Sequence, residues 1–155
     1  MAFLTMWWWK LAAQLVKGAR QTVKNLRRAR SVVSDAIFEV TRKYAFEIFD
    51  RSQALVPEAT GELKRSGSVS KDEGVHRVSF WIKYTASHAL VQHEGISPRT
   101  GKQMYPGPKT RSKPGTKDGM PGAKYLTRPL KNVRKAYIKE LGVATGRSIR
   151  KISVR

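Results

Sequence analysis

Three residues come closest to a catalytic or metal-binding arrangement: His88, His93 and Glu94. A hydrolytic zinc helix needs two histidines four apart with a glutamate directly after the first, so that both imidazoles share a face. Here the histidines are five apart and the glutamate follows the second, which sends the rings to different faces. They read as surface histidines flanking a turn. Gly115-Thr116-Lys117 ends like a phosphate-binding loop but lacks the upstream strand and the Gly-x-x-x-x-Gly-Lys spacing. Ser66 and Ser68 have no paired base, and the acids cluster on one helical segment instead of forming opposed carboxylates. The absence of cysteine excludes thiolate chemistry, thiolate metal sites and disulfides. No catalytic residue, metal or cofactor is assigned, and the chain reads as a non-enzyme.

Charge is the stronger signal. The 155 residues carry 31 Lys and Arg against 11 Asp and Glu, a net charge of +20. Such an excess repels itself and calls for a polyanionic partner, nucleic acid first and an anionic membrane second. Residues 96–155 hold sixteen basic and two acidic residues, and Lys10 to Ser34 hold seven basic residues and no acid. The candidates for contact with DNA or a partner are Lys17, Arg20, Lys24, Arg27 and Arg28 in the first run. In the second they are Arg99, Lys102, Lys109, Arg111, Lys113 and Lys117. The competing reading of such runs is a solvated helix face. Trp7, Trp8 and Trp9 cannot share one helix face, and indoles favour a wet–apolar boundary or an interface hot spot. They are read as anchors for a protein partner. The apolar start is broken by Lys10 and falls short of the roughly 20 residues a bilayer needs, so no membrane span is expected.

The elements that must position these residues follow from periodicity. Apolar residues from Leu11 to Leu55 recur near every 3.6 residues, which predicts one long helix, or two with a break between Arg28 and Asp35 and Ser34 as N-cap. Pro57 ends it. Val78, Phe80, Ile82 and Tyr84 alternate with polar or exposed positions, predicting a strand paired through a Lys71–Gly74 turn with a shorter one near 66–70. A short helix over 85–93 is closed by Gly95. Residues 96–123 hold five prolines and five glycines and read as an extended basic arm. A helix from Leu126 to Leu141 is closed by Gly142, and 143–155 read as a basic tail or last strand. The fold class is α+β: a long N-terminal helix, a small antiparallel hairpin, a long basic loop and a C-terminal helix packed on the sheet. Residues 1–34 form a basic Trp-rich extension, 35–142 the domain, and 143–155 the tail.

Three segments carry a resemblance. Pro57, Thr60, Gly61, Leu63 and Ser66 form a Pro-x-x-Thr-Gly-x-Leu-x-x-Ser pattern. Tyr84 to Glu94-Gly95 forms a second, after a strand, and Tyr125-Leu126-Thr127-Arg128-Pro129-Leu130 a third, after the basic loop. In this order they resemble the small head–tail connector proteins of tailed bacteriophages, also called neck, tail-completion or minor capsid proteins. The similarity covers about residues 35–141. Glu58-Ala59 and Gly95-Ile96 depart from the commoner residues there, and the 1–30 extension is not a general family feature. By themselves the residues explain the first pattern as a corner: Pro57 stops a helix, Gly61 permits a tight turn and Leu63 re-enters the core on the first strand.

The resemblance implies a structural virion protein in a homo-oligomeric ring, six-fold in the family. Its neighbours would be head-connector and tail-terminator or tail proteins, with assembly in the host cytoplasm. Genome DNA would pass through the lumen, held by backbone contacts that need no sequence readout. Loop 96–123 or helix 10–30 would face it. The alternatives are a free, sequence-nonspecific nucleic-acid-binding protein and a membrane-active basic protein working through residues 1–30.

Overall fold

The computed structural model describes residues 2–74 and 77–153. In chain order these form α1 (Ala2–Leu55), α2 (Glu62–Arg65), β1 (Gly67–Gly74), β2 (Arg77–Tyr84), α3 (Ala89–Glu94), α4 (Pro108–Arg111) and α5 (Thr127–Ser153). The fold is α+β, with a two-stranded antiparallel sheet. Two compact units divide the chain, one of residues 1–37 with 143–155 and the other of residues 38–142.

Of the two expected forms α1 takes the single long helix, running unbroken through Ser34, because residues 19–55 contain neither proline nor glycine to stop it. Other expectations change. α5 runs through Gly142 and Gly146 to Ser153, where a helix end and a tail were expected. Each interior glycine costs about 1 kcal/mol relative to alanine, which a helix of this length absorbs when no proline follows. Lys71–Gly74 is strand, not turn: Lys71 pairs with Phe80 and Gly74 with Arg77. Leu63 sits on the single turn α2 and not on the first strand, which begins at Gly67.

In the unit of residues 38–142, β2 lays Phe80, Ile82 and Tyr84 toward the helices while Trp81 and Lys83 stay exposed, as its alternation requires. Phe38 stacks on Phe80 and Phe49 on Tyr84, with centroids 5.7 and 6.3 Å apart. A two-stranded sheet needs such helix packing to persist in water. α5 packs with α1 through Tyr137, whose ring meets Tyr44 edge-on at 5.5 Å. At the adjacent turn Glu140 accepts from Lys43 Nζ and from the Tyr44 hydroxyl, each at 2.8 Å. These bonds, Lys43 first, hold the Glu140 carboxyl below its ordinary range, and the same carboxylate raises Tyr44 and Lys43. The innermost cluster is Leu55, Val56, Leu63, Ala89 and Tyr125, with Tyr84, Ala86 and Leu126 against it.

The 96–123 segment is folded, not an extended arm. Gly95 and Met104, then Ile96 and Gln103, pair across its first turn; Thr116 and Gly119 pair across another. Asp118 is buried, its Oδ1 accepting from Asn132 Nδ2 at 2.9 Å and facing Arg51 Nη1 at 3.4 Å. Arg51 also reaches Glu47 at 2.5 Å. This pins the loop to α1 and α5 together. Asp118→Ala removes the Asn132 hydrogen bond and the longer of the two Arg51 contacts at a buried site, while Arg51 keeps Glu47, so it should lower stability by about 1–3 kcal/mol, read as the urea midpoint. An unchanged midpoint would show that the pair contributes nothing to holding the loop.

Candidate functional site

The loop, the Pro57–Leu63 corner and α3 meet around a cavity of about 150 Å³. The corner exists because Pro57 stops α1 and Gly61 takes φ 78°, in the left-handed region that favours glycine. Thr60 Oγ1 accepts from Glu62 N at 3.4 Å, and Ser66 Oγ donates to Leu63 O at 2.8 Å, so both hydroxyls of the pattern serve the local turn. Across the cavity Thr110 is buried; its hydroxyl accepts from Glu58 N at 2.9 Å and donates to Glu58 O at 3.2 Å. Lys113 Nζ reaches the Glu58 carboxylate at 2.5 Å and the Val56 carbonyl at 3.3 Å. That lysine, first by hydrogen bonding, keeps the Glu58 carboxyl below its ordinary range.

The second and third patterns meet at Tyr125. Its ring contacts Tyr84 at 5.1 Å and His93 at 4.9 Å, both edge-on, and its hydroxyl donates to Ala89 O at 3.1 Å. Burial pushes Tyr125 up to about 12. The Ser52 hydroxyl donates to Phe49 O at 2.7 Å, so Tyr84, 2.6 Å away, is the donor in the Tyr84–Ser52 bond. Glu94 pairs with Lys124, which holds its carboxyl below the ordinary range. Lys124 itself has φ 58°, a strained turn that delivers Tyr125 into the core. Leu126 packs on the same cluster, and Pro129 is fully buried in the first turn of α5.

The residues singled out for chemistry do not converge. His88 occupies the N-cap position of α3 without a side-chain capping bond and lines the cavity, whereas His93 Nε2 lies 2.9 Å from Thr127 Oγ1. Among the described residues no three His, Asp or Glu side chains are grouped to hold a metal ion, and no helix is long and apolar enough to cross a membrane.

The basic candidates divide into two sets. Lys109 donates to Ala59 O at 3.2 Å, Arg111 to Pro106 O at 2.7 Å, and Lys113 is engaged as described. Arg99, Lys102 and Lys117 are exposed, as are Lys17, Arg20, Lys24, Arg27 and Arg28 on α1. Trp7, Trp8 and Trp9 lie within α1, with their side chains outside the described part. A further set went unremarked in the sequence: Lys131, Lys135 and Lys139 are exposed along one stripe of α5, away from Val133 and Tyr137. Their four-residue spacing is the signal that marks it. Comparison with known proteins finds no family model that matches the chain and no similar curated protein or solved structure.

Two predictions follow from the Tyr125 region. Gly95 has φ 71°, and a Cβ there would lie 2.5 Å from Ala123 Cβ, so Gly95→Ala should cost about 2 kcal/mol or more in urea unfolding. Full stability in that variant would contradict the close approach. His93 has its pKa lowered, first by burial and then by Lys124 and Arg128, against an opposing pull from Glu94. The unfolded chain therefore binds this proton first as pH falls. The stability from neutral His93 is complete above about pH 6.5 and is lost as pH drops through the folded value. Thermal melts between about pH 7 and pH 5.5 should show a falling midpoint, with a shallower slope in His93→Gln. Equal slopes would remove His93 as the cause.

Proposed function

We propose that this chain is a non-enzymatic structural protein of a tailed-phage virion, one subunit of a homo-oligomeric ring at the head–tail junction. The observation that carries the reading is the meeting of the three patterns in one core. Leu63 of the first, Tyr84 and Ala86 of the second, and Tyr125 and Leu126 of the third pack together although they span more than sixty residues of sequence. Their order and joint packing favour a shared fold-determining design over three chance similarities. The ring's neighbours are the head-connector and tail-terminator proteins, and assembly takes place in the host cytoplasm.

Genome DNA passes through the ring. The Lys131, Lys135 and Lys139 stripe, with neighbouring Arg134, is the surface that fits a phosphate backbone best. Its cations are exposed and carried on a helix anchored by Val133 and Tyr137. Such contact is sequence-blind and depends on counterion release. The same exposed cations favour a second reading, a free sequence-nonspecific nucleic-acid-binding protein, which binds tightly as an isolated chain. A ring subunit binds weakly until assembly multiplies its contacts.

Gold-labelled antibody against the chain should decorate purified virions at the junction between head and tail. Virions free of label, with the protein in the DNA-bound fraction of the lysate, would favour the second reading. For the stripe itself, replacing Lys131, Lys135 and Lys139 with Gln should reduce the slope of log K against log salt for duplex DNA by about 3. An unchanged slope would remove the stripe from the DNA-facing surface.

A further inference from the structure

The unit formed by residues 1–37 and 143–155 carries eleven basic residues and one acid, and α1 between 16 and 28 lies open. Val16, Ala19, Val23 and Leu26 follow a three-four-three spacing, with Val16 50%, Val23 47% and Leu26 64% exposed. At 3.6 residues per turn they occupy an arc of about 80° over about 15 Å of helix. That is the narrow stripe of a two-helix seam, not the wider face of a helix packed on a core. Arg27, Arg20, Lys24, Lys17 and Arg28 all fall on one flank of the stripe, while the other flank presents Gly18, Thr22 and Ala29. Arg20, Lys24 and Arg27 border the same groove as Val16, Ala19 and Val23.

We infer that this face docks an acidic amphipathic helix of another protein. Its aliphatic residues would fill the seam, and its carboxylates would lie along the Arg20–Arg27 flank. The inference goes beyond the virion reading and rests on separate residues. Each rival occupant leaves one feature unmet. A nucleic-acid backbone would engage the cations and leave four apolar side chains in water. A second copy of the same helix would fill the seam but bring no acid to a run that has none between Lys10 and Ser34. An anionic bilayer favours cations on the polar face around a broad apolar one, whereas between residues 16 and 28 they crowd one side of a narrow stripe that Arg30 closes at its C-terminal end. An acidic helix meets the seam and the one-sided charge together. The small residues on the far flank let it approach closely.

The test uses the full chain and a fluorescent heptad peptide with Leu at the seam positions and Glu on both flanks. A peptide of the same composition in scrambled order serves as control. The heptad peptide should bind and the scrambled one should not. Val23→Asp/Leu26→Asp should weaken binding by about tenfold or more, and Arg20→Glu/Arg27→Glu should do the same through charge. Both pairs are exposed, so circular dichroism should show the fold unchanged. Equal binding of the scrambled peptide would reduce the effect to bulk charge and overturn the docking face. So would undiminished binding by Val23→Asp/Leu26→Asp. Seam-dependent binding to phosphatidylserine vesicles without binding to the peptide would assign the face to membrane instead.

Discussion

The end of α1 is the constraint on which the rest of the larger unit depends. A helix leaves its last carbonyls without intrahelical partners, and α1 has no basic residue in its final turn to meet them. The chain answers from a distance. Gly122 N donates to Leu55 O at 2.9 Å, and Lys113 Nζ reaches the next carbonyl, Val56 O. Leu55 and Val56 are themselves fully buried, so water does not serve in place of these donors. The corner after Pro57, the loop and the entry to α5 are therefore fixed together.

That arrangement explains how a chain of net charge +20 folds at all. Part of the positive charge is internal equipment: Lys109, Arg111 and Lys113 hold the loop, Lys124 holds Glu94, and Arg51 holds Asp118. Nine further cations stand on exposed helical surface, five on α1 between 17 and 28 and four on α5 between 131 and 139. Each cation that serves packing meets a carbonyl or carboxylate of the same chain. Those left in solvent repel one another and are compensated by whatever anion arrives. On the proposed reading, α5 meets DNA and α1 meets protein.

Much of this was legible in the sequence because it rests on local rules. The period of α1, the alternation of β2 and the stop at Pro57 each depend on neighbours a few residues away. The three patterns at 57–66, 84–95 and 125–130 were legible as local motifs, the first of them as a corner, but their common packing around Tyr125 is long-range and leaves no local mark. Gly142 misled because glycine after an apolar period usually closes a helix, and nothing nearby tells that the chain will carry on. Lys71-Asp72-Glu73-Gly74 has the composition of a turn, yet pairing with Arg77–Phe80 overrides it. The loop misled most. Proline and glycine signal irregular backbone, and irregular backbone is not the same as absence of structure. Thr110 and Asp118, the polar residues that bury it, look like any surface residue in a basic run.

The central claim is that the chain builds a head–tail junction. Deleting its gene from the genome that carries it and examining the lysate by electron microscopy tests it most directly. The account predicts heads separated from tails, rejoined when the protein is supplied in trans. Normal joined virions from the deletion would contradict it.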